Sequence, residues 1–402
     1  MKLCSTTTPA SSSNIIRGAE VEDQIERFDY SFDKSLIATA PMRPRDRSRL
    51  LVYDKKTENI GHLHFSSILD LLRPNDLLIV NNTRVFPARL FARKGLGGGK
   101  IELLLLRETT PSAMGAKRPS EQGEREGEAP QALPVEGATR APVIEWEALV
   151  KGHITIETVL TFNGGGEARL VKALDGGRKV IAFTLPNQFD IYTYLKKWGE
   201  VPLPPYILQR RKQEGLIEQN DDNSYQTVYA KPIGSAAAPT AGLHFTKRLI
   251  AALRKKGVTI ATVTLNIGID TFKPIGVDRL SHHKMSGELF EVSNRTANAI
   301  ARAKASGGRI IAVGTSATRA IESAANAEGT VMPTKGETKL FISPGYTFRG
   351  VDGLITNFHP PRATGLVLVS AFLGYNAMSR LYREALEKRY RLFSYGDAML
   401  IV

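Results

Sequence analysis

The spacing of apolar segments changes near residue 187, and this change limits the possible folds more than any other feature of the sequence. Before it, short β-type runs follow one another closely: "VIEWEALVK", "ETVLTF", "EARLVKAL" and "KVIAFTL". Such spacing is typical of a small antiparallel barrel or sandwich. After it, strand-like segments such as "VTIATVTL" and "RIIAV" alternate with helical ones. This alternation indicates an α/β domain with a largely parallel sheet.

The two patterns predict the domain boundaries. We assign residues 28–65 and 187–402 to a main α/β domain, and residues 66–186 to an inserted small antiparallel β-barrel domain. The polar start of the chain predicts a flexible tail over residues 1–27. A segment rich in Pro, Gly, Glu and Ala, about 109–141, has too few apolar side chains to bury a core, so we predict that it is a disordered loop.

Composition narrows the classes of function. No apolar run approaches the ~20 residues of a membrane helix, and the N-terminus lacks the apolar segment of a signal peptide. The single cysteine, Cys4, excludes a disulfide framework within the chain. We therefore expect a cytoplasmic protein with no membrane partner. The formal net charge of +14 favours a polyanionic partner, with charge that serves only solubility as the alternative.

Two loops are candidates for ligand binding, because ligands of α/β sheets bind beyond the carboxyl ends of the strands. The first, "VGTSATR", follows the apolar strand "IIAV" and offers Gly314, Thr315 and Arg319 at a helix N-terminus, which favours an anion. An ordinary capped helix is the alternative. The second, "AAAPTAGLHFT", brings bare backbone at Gly242 next to His244. That histidine is either an acid or base near neutral pH or a buried structural residue.

Other segments carry polar residues in rigid or basic settings. "LITNFHPPRATG" crowds Asn357, His359 and Arg362 into a loop stiffened by two prolines. "NNTRVFPARLF" offers Arg84 and Arg89, which either meet phosphates or decorate a strand. The last helix, about 376–390, has a basic face that we interpret as solvated. The histidines show no metal-ligand spacing, so we expect no metal.

Eight segments together resemble one family, the S-adenosylmethionine:tRNA ribosyltransferase-isomerases of queuosine biosynthesis. They are "RDRSRLLVYD", "NNTRVFPARLFARK", "PLPPYI", "YQTVYA", "AAAPTAGLHFT", "IIAVGTSATRAIESAA", "LFISPGYTFRGVDGLITNFH" and "FSYGDAMLI". They cover nearly the whole chain except the tail and the 109–141 segment. The resemblance implies an α/β domain with an inserted β-barrel. It also implies transfer of the ribosyl group of S-adenosylmethionine to 7-aminomethyl-7-deazaguanine in tRNA, which yields epoxyqueuosine, adenine and methionine.

The resemblance also implies roles for residues of this chain. We expect acid–base catalysis from His244, His359 and Tyr225. We expect tRNA to contact Arg84 and Arg89. The expected substrate-binding residues come from four of the matching segments and from two others: Gly242, Glu288, Thr315, Arg319, Asn357, Arg362, Tyr395 and Asp397. The expected reaction needs no metal and no cofactor beyond the substrate S-adenosylmethionine, and we expect a monomer.

The chain departs from the usual family pattern at several positions near these motifs. Asn266 stands where a histidine is usual and Asp270 where a glycine is usual, in "LNIGIDTF". Ser286 and Gly287 replace a His-Ser pair in "HKMSGE", and "NFHPPRAT" has Ala363 in place of a serine. The alternative interpretation is therefore a family member with a different acceptor or lost catalysis, which binds S-adenosylmethionine or RNA.

Overall fold

The computed structural model describes residues 23–95, 98–109, 143–186, 189–216 and 221–402, with the backbone alone at residues 269 and 270. Its chain forms two compact units. One consists of the described residues up to Val85 together with Leu203–Val402, and the other is Phe86–Pro202. Within the described residues, no helix is long and apolar enough to cross a membrane.

The regular elements of the described residues are as follows. The strands are β1 (Arg49–Tyr53), β2 (Ile60–His64), β3 (Leu77–Asn81), β4 (Arg84–Val85), β5 (Arg89–Lys94), β6 (Lys100–Glu108), β7 (Val143–Lys151), β8 (Val159–Phe162), β9 (Glu167–Ala173), β10 (Arg178–Thr184), β11 (Ile233–Ser235), β12 (Thr259–Leu265), β13 (Glu288–Val292), β14 (Ile310–Val313), β15 (Thr334–Thr338), β16 (Gly353–Asn357) and β17 (Ala398–Ile401). The α-helices are α1 (Ile68–Leu71), α2 (Ile191–Trp198), α3 (Pro205–Glu214), α4 (Asp221–Ser224), α5 (Lys247–Lys255), α6 (Asn294–Ala305), α7 (Thr315–Ala324), α8 (Thr364–Leu373) and α9 (Tyr375–Glu387).

The first unit is built on a nine-stranded sheet in the order β15-β13-β12-β3-β14-β16-β17-β1-β2. Strands β12, β3, β14 and β16 are parallel to one another. The strands at both edges pair antiparallel with their neighbours, as β13 does with β15 and β1 with β2. The α/β class is therefore confirmed, with the parallel pairing concentrated in the centre of a mixed sheet.

Side chains alternate between two apolar cores, one on each face of this sheet. In β3, Leu77 and Ile79 belong to one core and Leu78 and Val80 to the other. Helices α6 to α9 supply the first core and α5 supplies the second. A strand covered on both faces needs apolar side chains at every position, which explains the unbroken run "LLIV".

The second unit contains a closed antiparallel barrel in the order β10-β7-β6-β5-β8-β9, which confirms the expected barrel. Both of its expected boundaries, 66 and 186, need correction. Strand β3 pairs with β12 and β14 in the large sheet, so the barrel unit begins only after Val85. Helix α2 joins the barrel unit, where the Tyr194 hydroxyl donates to the Asn163 carbonyl at 2.5 Å. The change of sequence pattern at 187 therefore precedes the structural boundary.

The beginning of the described chain corrects the expected tail over 1–27. Residues Ile25–Phe28 form a 3₁₀ turn, and both Ile25 and Phe28 are buried in the core. The Ile25 amide donates to the Asp278 carbonyl at 2.9 Å. Residues 23–27 are thus anchored by apolar burial, while residues 1–22 lie outside the described part of the chain. Nearly all of the 109–141 loop also lies outside it.

Candidate functional site

The carboxyl ends of β3, β12 and β14 meet at the centre of the sheet. Helix α5, before β12, covers one face, and α6, before β14, covers the other, so this point is where the chain switches faces. Asn81, at the end of β3, ties these elements together. Its side chain pairs with both the amide and the carbonyl of Leu265 and donates to the Ser316 hydroxyl at 3.1 Å. The Asn81 side chain donates two hydrogen bonds and accepts two, all with protein groups. Its role is therefore structural.

The two loops selected from sequence come together at this edge. Gly314 has a φ of 91°, which glycine adopts without strain. A Cβ on Gly314 would lie 3.5 Å from the Cβ of Ala241, in the 3₁₀ turn Thr240–His244. The first amides of α7 point outward from the Gly314 turn without a side-chain cap. Bare backbone from two loops thus lines the same place.

His244 occupies a buried position in which both ring nitrogens are bonded to protein. Its side chain is 4% exposed and stacks on Phe65 with ring centroids 5.0 Å apart. The Asn357 amide nitrogen donates to the Phe393 carbonyl at 3.1 Å and to His244 Nε2 at 3.2 Å. Since Nε2 accepts, Nδ1 carries the proton and donates to the Ser48 hydroxyl at 2.7 Å.

Burial lowers the pKa of His244 from 6.5 to about 4. Desolvation is the largest cause, and the charges of Arg391 and Arg45 lower it further, whereas that of Asp397 raises it. The imidazole is therefore neutral at pH 7. With no free nitrogen and no charge, His244 fits the structural alternative better than the role of acid or base that its sequence context favoured.

Several buried polar atoms without hydrogen-bond partners belong to Asn357, which bonds this histidine, and to the segment 225–229, which contacts Gly242 in the same turn. Among the described side chains they include Asn357 Oδ1 and the hydroxyls of Tyr225, Thr227 and Tyr229. Two of these residues also contact Gly242: a Cβ there would lie 2.1 Å from the Tyr229 hydroxyl and 2.9 Å from Thr227 Cγ2. Buried polar groups normally find partners. Unpaired acceptors and donors in one place therefore indicate the position of a polar ligand.

In the segment "YQTVY", which forms turns rather than a strand, Thr227 and Tyr229 lie against Gly242 while Tyr225 packs against Tyr395. Between them, the Gln226 amide exchanges hydrogen bonds with the Val85 backbone, each at 3.1 Å. Arg45 secures the other side by donating to the Gln226 carbonyl at 2.6 Å. Burial raises the pKa of Tyr225 and that of Tyr229 above their ordinary value of 10, so both hydroxyls stay protonated at neutral pH.

His359 lies on the other face of the sheet from His244. Its Nε2 is 2.7 Å from the Thr356 hydroxyl, and its ring lies against Gly365 of α8. The Leu354 side chain on that face belongs to the core of α6 to α9. Although His359 is only partly buried by surface area, desolvation by the surrounding protein lowers its pKa to about 4. The structure does not bring the two histidines into one site.

Arg319 in α7 and Glu288 at the start of β13 form a buried ion pair at the same edge of the sheet. Arg319 Nη1 contacts Glu288 Oε2, and its Nε donates to the Leu340 carbonyl at 2.9 Å. Glu288 Oε1 accepts from the Gly268 amide at 2.8 Å. Arg319 Nη2 is buried without a partner, so one donor remains for a ligand. Thr315, in the first turn of α7, is partly exposed beside it.

Several expected site residues serve other purposes in the fold. Arg362 pairs with Asp29 at 2.8 Å on the surface. The Asp397 carboxylate accepts from the Arg49 and Arg391 amides at 3.0 and 2.9 Å and anchors the start of β17. The Tyr395 hydroxyl donates to Asp221 at 3.4 Å.

The two arginines expected to bind RNA lie in different units. Arg84 is exposed on β4, which pairs with β11, the strand that leads into the loop with Gly242 and His244. In the barrel unit, Arg89 is neutralised by Glu102 at 2.7 Å and Glu200 at 3.1 Å.

The departures from the family pattern have local explanations where they are described. Asn266 accepts from the Thr83 hydroxyl at 3.0 Å. A Cβ on Gly287 would meet the Glu337 carboxylate at 1.5 Å, so a larger residue there would have to displace that exposed side chain. Ala363 is the N-cap of α8 and gives it no side-chain cap. Ser286 also has an interaction partner within the protein. The Asp270 side chain lies outside the described atoms.

Sequence reasoning missed the residues that support the site rather than line it. They are Ser48, Phe65, Asn81, Thr227 and Tyr229. The alternation of hydroxyl-bearing residues in "YQTVY" was the available signal for the last two. Among the described residues, no group of three His, Cys, Asp or Glu side chains lies close enough to hold a metal ion.

The chain is similar to known proteins over most of its length. Residues 25–401 match the model of the family described as queuosine biosynthesis protein. The chain is 44% identical to an S-adenosylmethionine:tRNA ribosyltransferase-isomerase of Heliobacterium modesticaldum over 94% of this chain and 100% of that protein. It is 41% identical to one of Staphylococcus aureus (strain Newman) over 94% and 99%. A crystal structure of a Thermotoga maritima S-adenosylmethionine tRNA ribosyltransferase is 32% identical, covers 94% and 100%, and superposes with a TM-score of 0.47.

Proposed function

The chain belongs to the S-adenosylmethionine:tRNA ribosyltransferase-isomerase family of queuosine biosynthesis, and we propose that it catalyses that family's reaction. It transfers and isomerises the ribosyl group of S-adenosylmethionine onto 7-aminomethyl-7-deazaguanine in tRNA. The bonds from the ribosyl group to adenine and to the methionine sulfur break, and the acceptor nitrogen bonds to a ribosyl carbon. The isomerisation breaks one ring C–O bond and forms one C–C bond and one C–O bond, which close the carbocycle and its epoxide. The acceptor amine and the carbon beside the sulfonium each lose a proton; adenine takes up one, the other is released as the sulfonium charge is lost, and the product is epoxyqueuosine-tRNA.

The observation that carries this proposal is the set of unpaired polar atoms at Asn357 and in the segment 225–229, of which Thr227 and Tyr229 lie against Gly242. S-adenosylmethionine presents amino, hydroxyl and ring-nitrogen groups, and Asn357 Oδ1 and the three hydroxyls offer complementary partners. The glycine at position 242 lets the Tyr229 hydroxyl and the Thr227 side chain lie directly against the backbone of the His244 turn. Each such atom costs about 1–3 kcal/mol when it is buried unpaired. A ligand that forms hydrogen bonds with several of these atoms therefore gains affinity without burying more surface.

We assign Asn357 to bind the substrate, and we assign His244 to orient the Asn357 side chain. His244 accepts one amide hydrogen of Asn357 and thereby turns Oδ1 toward the unpaired hydroxyls. Tyr225 and Tyr229 remain protonated because burial raises their pKa, so either hydroxyl can assist the departure of adenine by donating its proton. Arg319 Nη2 is a donor for the carboxylate of the methionine part.

The activity test uses purified protein, S-adenosylmethionine and tRNA that carries 7-aminomethyl-7-deazaguanine. We expect mass spectrometry of the digested nucleosides to show epoxyqueuosine, with adenine and methionine released in equal amounts. A folded protein that forms none of these refutes the proposed reaction. We also expect unchanged turnover after treatment with a metal chelator, and a monomer by light scattering, as befits a cytoplasmic enzyme that acts alone.

Two variants test the assigned roles within the site. Asn357→Ala should raise the KM for S-adenosylmethionine strongly, because it removes the contact. His244→Gln should have a smaller effect on KM and leave the pH profile of kcat unchanged, since His244 does not titrate near pH 7. A His244→Gln variant that loses a pH-dependent limb of kcat would show instead that the imidazole is the acid or base.

A further inference from the structure

Helix α5 carries a row of cations that the active pocket does not use. Residues 241–258 contain no Asp or Glu, while Lys247, Arg248, Arg254 and Lys255 all lie exposed on this helix. Its apolar face, with Leu249, is buried in the core. Within the described part of the chain, only Arg248 of these four cations has a carboxylate partner, so most of this charge is not used for pairing.

The first two of these cations are unfavourable for the helix itself. Lys247 and Arg248 occupy the first turn of α5, which has no acidic residue. The positive end of the helix dipole repels cations there by about 0.3–1 kcal/mol each. Arg248 is 83% exposed, and its nearest carboxylate, Asp46, lies 3.6 Å away with its oxygen also bonded to Thr246. An ion pair this exposed contributes only about 0–1 kcal/mol, and a local cost with so small a structural gain indicates a functional use.

The basic face of α9 shows the contrast. It carries Arg380, Arg383 and Lys388, yet Arg380 lies 3.9 Å from Glu58 and Lys388 lies 3.5 Å from Glu384. Two of these three α9 cations therefore have a carboxylate within 4 Å, whereas Arg248 is the one α5 cation among the described residues that does. The interpretation of α9 as a solvated surface therefore stands as a hypothesis, while α5 presents cations that remain available to a partner.

The position of α5 connects it to the pocket. Thr246, two residues after His244, caps the helix by accepting from the Leu249 amide at 3.1 Å. It also donates to Asp46 at 2.8 Å, in the 3₁₀ turn Arg45–Arg47. Arg43 and Arg47 are exposed on either side of that turn, and Ser48 directly after it bonds His244. Exposed cations thus flank the His244 loop on two sides.

We propose that α5 together with Arg43 and Arg47, here called the α5 strip, binds the phosphate backbone of the substrate tRNA. A nine-residue helix spans about 13 Å, long enough to meet several phosphates of one strand. Because Thr246, the N-cap of α5, lies two residues after His244, a nucleic acid bound there would lie next to the loop that contains His244. The strip supplies affinity without reading sequence, and the pocket selects the base. This inference rests on the proposed function, because that function supplies the RNA partner.

The test compares two variants that each remove three positive charges. One is Arg248→Gln, Arg254→Gln and Lys255→Gln on α5. Its matched control is Arg380→Gln, Arg383→Gln and Lys388→Gln on α9. The dissociation constant for the tRNA that carries 7-aminomethyl-7-deazaguanine is measured between 50 and 200 mM salt. Three lost phosphate contacts should lower the slope of log affinity against log salt by about 2–3.

Over that fourfold salt range, the affinity of the wild type should therefore fall roughly 20- to 40-fold more than that of the α5 variant. The α9 control should follow the wild type. Equal slopes for all three proteins, or an equal loss in both variants, would overturn the proposal. Arg248→Gln alone, at a side chain 83% exposed, provides a variant whose folding is not at risk and should lower the slope by about 1.

A separate measurement distinguishes this inference from the proposed reaction. The α5 variant should bind S-adenosylmethionine with the wild-type affinity by calorimetry, since the strip lies outside the pocket. Wild-type protein that binds tRNA through α5 but forms no epoxyqueuosine refutes the reaction and keeps the strip. Protein that makes epoxyqueuosine with unchanged salt dependence in the α5 variant refutes the strip and keeps the reaction.

Discussion

Lowering the pH from 7 to 5 should destabilise the α/β unit, and His244 alone should account for a sizeable part of the loss. Its pKa is about 4 in the folded protein against an ordinary 6.5. In the unfolded chain the same imidazole takes up a proton as the pH falls through 6.5. The stabilising contribution is therefore fully present above pH 6.5 and is lost progressively toward pH 4.

The magnitude follows from the two pKa values. At pH 5 the unfolded imidazole is almost fully protonated, while the folded one is mostly neutral. The resulting difference between pH 7 and pH 5 is about 2 kcal/mol for His244. Burial lowers the pKa of His359 in the same way, but that side chain is partly exposed, so its share should be smaller.

The assay must report the unit that contains His244. Both tryptophans, Trp146 and Trp198, lie in the barrel unit, so their fluorescence follows the wrong unit. Most described helices lie in the α/β unit, so urea unfolding is best followed by circular dichroism at helix wavelengths. The quantity compared is the change in unfolding free energy between pH 7 and pH 5, for wild type and His244→Gln.

We expect His244→Gln to show about 2 kcal/mol less loss on acidification than the wild type, whatever its stability at pH 7. His359→Gln should show a smaller reduction, and the double variant should show their sum because the residues lie on opposite faces of the sheet. An identical loss in wild type and His244→Gln would refute the argument that burial keeps this imidazole neutral.

Three further substitutions test packing at the site. Gly242→Ala places a methyl group 2.1 Å from the Tyr229 hydroxyl and should reduce S-adenosylmethionine binding; adding Tyr229→Phe should restore part of it, and no restoration would contradict the clash. Arg319→Met should lower the unfolding free energy by about 3–5 kcal/mol because it leaves the Glu288 carboxylate buried alone, and Glu288→Gln in the same chain should recover most of this by urea titration. Ala363→Ser should add the missing N-cap of α8, worth about 1 kcal/mol, and a melting temperature at or below the wild-type value would argue against it.

Local signals in the sequence predicted much of the secondary structure. Thr246 and Ser293 cap α5 and α6 as expected, each accepting from an amide in the first turn. These signals are reliable because a cap depends on neighbours within three residues. Strand β15, "TKGET", gave no signal, because an edge strand that buries little needs no apolar alternation.

The parts that sequence could not predict depend on distant contacts. An apolar run such as "LLIV" suits a barrel or a sheet equally, and only its pairing with β12 and β14 assigns β3 to the sheet. His244 was recognised as a site residue, yet its burial and its hydrogen bonds come from tertiary structure: the partners of its two ring nitrogens, Ser48 and Asn357, lie 196 and 113 positions away. A histidine that is free and one that is fully bonded look the same in sequence.

The position of β17 also bears on how the protein folds. Among the described strands, the hairpin of β1 and β2 joins the rest of the sheet through β17 alone, which pairs with β1 on one side and β16 on the other. Ser48 and Phe65, which hold His244, flank that hairpin. During synthesis these early residues must wait for residues 398–401 before they can dock, and such long-range closure slows folding. The pocket should therefore be among the last regions to form, and a nascent chain that stops before β17 should hold a folded barrel beside an inactive site.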